Sequence, residues 1–582
     1  MKRRFPWVRR CLLLCLVCAL LPFAFLIWSP SSNAQELLHI SPGGRIEELP
    51  PPFPEESQPP PPMIREPKPP FSAPEEKLAP GLRVFVREIK VSGSTVFSLK
   101  ELSEVSAHYV NRELTSEDLE ALRRALTTLY INKGYINSGA VIPDQAVVGG
   151  VINIQIVEGK LTDVEVQGNR WLRTGYYVNR IALDSGPPVN VYCLQQRLQL
   201  LQQDERVDLI HAELKPGLEP GQSDLAVRVE EKLPFSASVG FDNYQPSTVG
   251  EKRGFMTLVD KSLTGYGDIL SFTYFGSEGV NPGIDVWYSL PITSRDTTLV
   301  LRYERNDFGV IEQPFGPLNI TTNSDIYGIT LRQPLYRSLN QEFAVAVAGE
   351  YEQDRSFLLG EPFSFAPGEQ DGKSTVTALR FSQEWFYRTQ TEVLAARSRL
   401  SFGLDAFGST INPGGLPDSR FFSWLGQFQW ARVFGSYGIQ SIVRADVQLA
   451  ADPLLPLEQI PVGGRYSVRG YPENTFVRDN AVIPSWEIRV PVVRDVSWAD
   501  YLQLAPFIDY GLSWNTRLPT PPEDSLLSVG IGLRWALTMV KRPFPVRPEF
   551  EIYWGYPIES IKTNGHDLQD LGIHMQFVIV MF

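Results

Sequence analysis

From residue 234 to the C-terminus, apolar and polar residues alternate with a period of two. In Phe235–Asp242, Phe235, Ala237, Val239 and Phe241 fall on one side, and Ser236, Ser238, Gly240 and Asp242 on the other. Leu299, Leu301 and Tyr303 oppose Val300, Arg302 and Glu304; Trp486, Ile488 and Val490 oppose Glu487 and Arg489. Successive side chains of a strand point to opposite faces, so this pattern predicts a long run of strands with one apolar face. A soluble sandwich would turn the polar face to bulk water. A membrane barrel would turn the apolar face to lipid and line a wet lumen with the polar one. The period alone does not separate the two.

Ahead of residue 234 the pattern twice runs strand, helix, helix, strand, strand. In residues 81–158, Val84–Val91 reads as a strand and Leu102–Tyr109 as a weak first helix. Thr115 can cap a second helix whose first turn holds Ser116, Glu117 and Asp118, where free amides and the positive dipole end favour oxygen and negative charge. Leu119, Leu122, Leu126 and Leu129 share a face, Gly134 ends the helix, and strands follow near Ile136–Ile142 and Val151–Val157. Residues 159–233 repeat the order, with a strand at Leu161–Val166, a short helix at Tyr177–Leu183 and an Asn190-capped helix bearing Leu194, Leu198 and Leu201. Strands at Val207–Leu214 and Leu225–Val229 flank the turn-rich Lys215–Gly221. Cys193 reads as a thiol near the apolar side of its helix, buried and inert.

The first 80 residues belong to neither pattern. Lys2, Arg3, Arg4, Arg9 and Arg10 precede an apolar run, Cys11–Trp28, and then the small residues of Ser32-Asn33-Ala34. Basic, apolar, small is the layout of a secretory signal peptide over residues 1–34; a single membrane anchor is the alternative. Cleavage would shift the formal charge from −12 to −17 and leave Cys193 as the only cysteine, so no internal disulfide could form. Fourteen prolines between Pro42 and Pro80 make residues 35–80 an extended, largely polyproline II tether.

Composition resembles that of an ordinary soluble protein, with 43% hydrophobic residues, and argues against a bundle of membrane helices. The acidic balance argues against nucleic acid as a partner. Export changes the reading of the strands, since an exported chain with no second long apolar run can live in a membrane only as a closed barrel. Aromatics flank many strands, as at Phe272, Tyr274, Trp287, Tyr288, Trp385 and Phe386, in the manner of interfacial girdles. The sequence closes on an apolar strand, Gly572–Phe582, ending in the aromatic Phe582. The 349 residues from 234 to 582 accommodate about 16 strands of about 10 residues with turns and long loops.

A transmembrane antiparallel β-barrel of about 16 strands preceded by two α+β units resembles the POTRA-containing outer-membrane barrel superfamily. Within it, the sequence is similar to the two-partner secretion transporters, the haemolysin activation/secretion family. The fragments that carry the likeness are Gly134–Gly139, Val157–Gly159, Leu214–Gly217, Pro220–Leu225, Asp242-Asn243 and Gly265–Asp268. The strongest is Val462–Tyr471, whose core Val468-Arg469-Gly470-Tyr471 resembles the family's signature in a loop, here near residues 459–481, that folds back into the lumen. Its partner motif resembles Phe507-Ile508-Asp509-Tyr510-Gly511, on the next strand but one. Phe507, Asp509 and Gly511 share a face, and a carboxylate facing lipid is costly, so that face should be lumenal. The resemblance then implies an Arg469–Asp509 contact inside the barrel, a forked guanidinium on a carboxylate.

The resemblance further implies a protein-conducting pore in the outer membrane, with the POTRA units in the periplasm. It implies secretion, and activation in some members, of a large β-rich exoprotein such as an adhesin or haemolysin. The partner would be an unfolded exoprotein recognised through its N-terminal secretion domain. A barrel-assembly factor of the BamA type is the alternative, although assembly factors usually carry more than two POTRA units. A monomer in outer-membrane lipid is expected, with no cofactor, metal or catalytic residue. The five histidines lack metal-ligand spacing, and no His-Glu-x-x-His, Gly-x-Ser-x-Gly or paired-cysteine motif occurs. Lumenal charges such as Asp285, Arg302, Glu304 and Arg380 read as a solvated wall. Gln35–Leu49, broken by Pro42-Gly43-Gly44, does not read as the plugging helix some members carry, which leaves gating to the loop.

Overall fold

A computed structural model describes residues 64–65, 83–183, 185–539, 544–561 and 567–582. The expected signal peptide and the 35–49 segment lie outside the described residues. Of the proline-rich tether only β1 (Ile64–Arg65) is described, and it is a strand.

The first α+β unit contains β2 (Arg83–Val86), β3 (Glu88–Ser92), α1 (Leu99–Ser106), β4 (Arg112–Thr115), α2 (Ser116–Asn132), β5 (Gly139–Val141) and β6 (Val151–Val157). Helix α2 starts where Thr115 and Asp118 cap each other. Thr115 Oγ1 accepts from the Asp118 amide at 3.2 Å, and the Asp118 carboxylate accepts from the Thr115 amide at 2.9 Å. That backbone hydrogen bond holds the Asp118 carboxyl below its ordinary pKa. Helix α1 begins three residues earlier than the apolar pattern suggests, because Ser98 and Glu101 form a second reciprocal cap. Strand β5 is shorter than Ile136–Ile142: the Ser138 amide donates to Tyr135 O, keeping that stretch in a turn. The sheet order is β3-β6-β5, and its apolar face meets Leu119, Leu122 and Leu126 in a core with Ile152, Ile154 and Ile156.

The second unit contains β7 (Lys160–Gln167), α3 (Thr174–Ile181), α4 (Val191–Gln202), β8 (Val207–Pro216) and β9 (Gln222–Glu231). Helix α3 lies nearer the N-terminus than Tyr177–Leu183, and its cap position, Arg173, makes no side-chain capping bond that a sequence could advertise. Asn190 Oδ1 caps α4 by accepting from the Tyr192 amide at 2.9 Å. The expectation for Cys193 fails. Leu194, Leu198 and Leu201 turn one stripe of α4 into the core, and Cys193, one residue and so about 100° away from Leu194, is exposed. The sheet order is β1-β8-β9-β7, so the tether's own strand runs parallel along β8, with Ile64 opposite Ala212 and Arg65 opposite Glu213.

The barrel has sixteen antiparallel staves. They are β10 (Phe235–Asp242), β11 (Arg253–Asp260), β12 (Ile269–Gly276), β13 (Val280–Pro291), β14 (Thr298–Gly309), β15 (Thr321–Arg337) and β16 (Gln341–Leu358); then, after the short β17 (Glu361–Pro362), β18 (Lys373–Arg388), β19 (Glu392–Leu404), β20 (Phe422–Phe434) and β21 (Ile439–Ala450). A loop holding β22 (Ile460–Val462) and β23 (Phe476–Arg478) intervenes before β24 (Asn480–Val496), β25 (Ala499–Trp514), β26 (Ser525–Ala536), β27 (Val546–Pro557) and β28 (Ile573–Met581). Strand β28 pairs with β10, Val239 opposite Ile579, which closes the sheet and removes its edges. Alternation now separates barrel from sandwich. On β15, Tyr327, Ile329 and Leu331 remain 49%, 53% and 47% exposed on the outer face, as an apolar lipid-facing row must be. Arg332 on the inner face pairs with Glu342 and Glu384 at 2.6 and 2.8 Å.

The second unit rests on three barrel turns. Arg173 donates to Thr264 O at 3.0 Å and lies 4.4 Å from the Tyr266 ring centroid. Arg180 pairs with Asp296 at 2.6 Å, and Gln203 donates to Leu339 O at 3.3 Å. Gly265–Asp268 forms one of these turns. Gly267, at φ +83°, lets the Tyr176 ring come so close that a Cβ there would sit 2.5 Å from it.

Candidate functional site

The loop between β21 and β24 enters the barrel and is buried there. Its stem holds a single helical turn, Pro456–Glu458, followed by the β22–β23 hairpin, with Ile460 opposite Arg478. Ile460, Val462, Val468, Tyr471 and Phe476 pack with Ala481, Ile483 and Leu526 of the wall into one apolar cluster. That cluster fixes the loop's height and leaves its polar tip against β24–β28.

Arg469 lies at this tip. Its Nε and Nη2 donate to the two oxygens of Asp509 at 2.7 and 2.9 Å, and its own amide donates to Asp509 Oδ2 at 3.1 Å. Nη1 meets Glu487, and Nη2 donates to Ser485 Oγ at 3.3 Å. Ser485 in turn donates to Asp509 Oδ1 at 2.6 Å, since strand pairing sets Ser485 directly opposite Asp509. The guanidinium carbon stands 3.7 Å from the Phe507 ring centroid. Arg469 is thus held by charge, by forked hydrogen bonds and by a ring face together. Both partners are almost wholly buried, at 2% and 0% exposure.

The remaining motif residues make this approach sterically open. Gly470 has φ +92°, and a Cβ on it would lie 2.8 Å from the Gly555 carbonyl carbon of β27. A Cβ on Gly511 would lie 2.5 Å from Val462 and 2.9 Å from Val468, so its bareness seats the loop's apolar side. The Tyr471 hydroxyl, at 2.9 Å from Leu527 O and 2.8 Å from Glu559 O, ties the tip to β26 and to the residues after β27. Phe582 lies apart from this cluster: it is 45% exposed and its amide donates to Pro545 O at 3.0 Å.

Several partners of the tip are not visible in the sequence. Glu487 binds both Arg469 and Arg489, the latter at 2.6 Å. Arg465, the largest fully buried side chain, pairs with Glu551 on β27 at 2.9 Å and lies 4.2 Å from the Tyr553 ring centroid. Alternation does place Glu487 and Arg489 on the polar face; register, which decides what they meet, is not written in the period. The expectation of a merely solvated wall fails at Arg380. That side chain is 4% exposed, with Glu350 at 2.5 Å, Glu352 at 3.3 Å and Glu458 at 2.8 Å, because the loop stem covers it. Asp285, Arg302 and Glu304 also form a network, at 3.2 and 2.5 Å.

Known proteins bear on this arrangement. Residues 221–535 match the model of the haemolysin secretion/activation protein ShlB/FhaC/HecB family, and residues 84–159 match the ShlB-type POTRA domain. The outer membrane transporter CdiB of Dickeya dadantii is 22% identical over 79% of this chain and 82% of its own length. The hemolysin transporter protein ShlB of Serratia marcescens is 22% identical over 67% of this chain and 69% of its own. The structure of CdiB from Escherichia coli superposes with a TM-score of 0.63 at 20% identity, over 89% of this chain and 93% of that one. At that identity the structural likeness speaks for the fold, while the family model spans more than half of the sequence. The chain belongs to the haemolysin secretion/activation protein family, ShlB/FhaC/HecB.

Proposed function

We propose that this transporter receives its secreted partner unfolded, by an N-terminal secretion domain that adds a strand to a POTRA sheet, and passes it out through the lumen the 459–481 loop occupies. The chain is an outer-membrane pore that secretes an exoprotein, with its POTRA units in the periplasm. A large β-rich adhesin or haemolysin fits this route, because a strand-adding contact uses backbone amides and so suits a chain without folded side-chain surfaces.

The observation that carries the reading is β1 on β8. An extended, proline-flanked segment already augments the second sheet, which supports these edges as acceptors of an added strand. Among the described residues, β3, β5 and β7 each pair on one side only. No energy source in the periplasm is needed if folding outside biases transit outward. The barrel closes on itself through β10 and β28, which supports a monomer surrounded by outer-membrane lipid.

Depletion of the protein tests the reading. Loss of one large secreted protein from the medium, with other outer-membrane barrels at normal levels, is expected. General loss of barrels would overturn it in favour of an assembly factor, and altered small-solute uptake alone would overturn it in favour of a diffusion pore.

A further inference from the structure

The loop does not hang from one wall. Its tip is fixed on β24 and β25 by Arg469 and on β27 by Arg465; counting from β10, these are the twelfth, thirteenth and fifteenth staves. Its stem is fixed on β18, the eighth stave, where Arg380 Nη1 and Nη2 donate to the two oxygens of Glu458 at 3.0 and 2.8 Å. Seven of sixteen positions separate the eighth stave from the fifteenth, so these walls face each other across the lumen. Leu454 and Leu455, both at 0% exposure, seat the same stem on Val376 and Ala378 of β18 and on Phe421. The loop is therefore a bar across the pore with a support at each end.

We infer that the Arg380–Glu458 pair is a second lock on this bar, independent of the Arg469–Asp509 contact, and that it is the more readily released of the two. The reason lies in what each arginine keeps when the loop departs. Arg380 has two further carboxylates on β16, Glu350 and Glu352, within 2.5 and 3.3 Å. When Glu458 leaves, Arg380 stays neutralised on its own wall, and Glu458 moves out into the lumen. The penalty for stranding a buried charge, which makes breaking most buried pairs costly, is thereby avoided on the arginine side. At the tip it is the loop that carries the arginine and the wall that carries the acids. Withdrawing Arg469 leaves Asp509 without its charge partner while Glu487 retains Arg489. The tip also loses the Tyr471 hydrogen bonds and the Gly470–Gly555 contact. Glu458 is thus a positioning residue of the closed lumen, acting through the loop.

This inference rests on the reading of the lumen as the secretion path, but ionic conductance tests it without any secreted partner, so the two can fail separately. Full-length transporter is reconstituted in planar lipid bilayers, with heat-modifiable electrophoretic mobility as the check on barrel folding. Glu458→Gln should raise occupancy of the open level by roughly tenfold, as loss of a bias on a two-state loop would, and Glu458→Asp should restore closure. Arg380→Gln combined with Glu458→Gln should open the pore no further than Glu458→Gln alone. Adding Asp509→Asn to Glu458→Gln should open it further than either does singly. A folded Glu458→Gln barrel with parental conductance would overturn the inference, as would a folded Arg380→Gln barrel that stays as closed as the parent, since either change removes the pair. If Glu458→Gln does not fold, Arg380→Lys keeps the wall charge but loses the fork: opening supports the lock, and parental closure overturns it.

Discussion

Arg469 and Arg180 each join an element to a carboxylate of the barrel, yet their surroundings differ. The side chains of Arg469 and Asp509 are 3% and 0% exposed, inside the pore, with a ring, a serine and a second carboxylate around them. Arg180 and Asp296 are 12% and 26% exposed at the periplasmic mouth, and they share the task with Arg173 and Gln203 on two other turns. A dense, dry contact is held or lost as a unit, because removing one member leaves another buried charge unpaired. A contact spread over three wetter turns yields by degrees. The difference suits the proposed release of the loop as one body, while the periplasmic unit is held by several separate contacts.

The largest effect is expected at the tip. Asp509→Ala removes the carboxylate that accepts from the Arg469 amide, Nε and Nη2 and leaves Glu487 to serve both Arg469 and Arg489, and the expected loss of loop docking is about 3–5 kcal/mol. Secretion of the partner should fall steeply, and the loop should become accessible to protease added from outside. Asp509→Arg should mimic Arg469→Asp, and the double swap should recover part of the secretion. Full secretion by both single variants would remove the contact from the mechanism.

Gly470→Ala separates close packing from charge. The backbone at φ +92° and the 2.8 Å approach to Gly555 should together cost about 1–3 kcal/mol. Gly414 is the matched control, with φ +75° and nothing within 4 Å of a Cβ. If Gly470→Ala and Gly414→Ala lower secretion equally, the tip tolerates displacement and is looser than its burial implies.

How far this was legible in the sequence depended on whether the information was local. Alternation at Phe235–Asp242 and Trp486–Val490 fixed which side chains face the lumen, and Thr115 announced its helix because a cap and its acceptor sit three residues apart. The Val468–Tyr471 fragment located the loop only through family likeness. Ser485 opposite Asp509 is a matter of register, and no period of two distinguishes one register from the next. Arg380 shows the cost most clearly. Parity put it in the lumen, where it read as solvated; that a loop starting some 70 residues later returns to bury it depends on the whole barrel. Cys193 failed for a smaller reason, since one residue along a helix turns a side chain from core edge to solvent.

The smallest expected effect lies at the periplasmic dock and is set by pH. Asp204 accepts from Arg206 Nε and Nη2 at 2.7 and 2.8 Å and from the Tyr176 hydroxyl at 2.5 Å, while Arg206 Nη1 reaches Lys261 O of the barrel at 3.3 Å. Burial pushes the Asp204 carboxyl up, but the Arg206 charge and these hydrogen bonds outweigh it and hold the group well below its ordinary value of 3.8. A carboxylate whose folded pKa is depressed contributes stability that is fully present above its unfolded pKa and is lost as pH falls through the lower folded value. Docking of the second unit should therefore be flat between roughly pH 5 and 8 and weaken only in strong acid. Asp204→Asn should bring that weakening to neutral pH. Arg180 and Arg173 still hold the other turns, so the loss of docking should stay well below that at Asp509. Limited proteolysis of the joint near residues 232–234, followed against pH in parent and variant, reads it out. A joint that opens near pH 6 in the parent would show that Asp204 does not govern the dock, and would leave the three turns, rather than the Arg206 bridge, as its whole support.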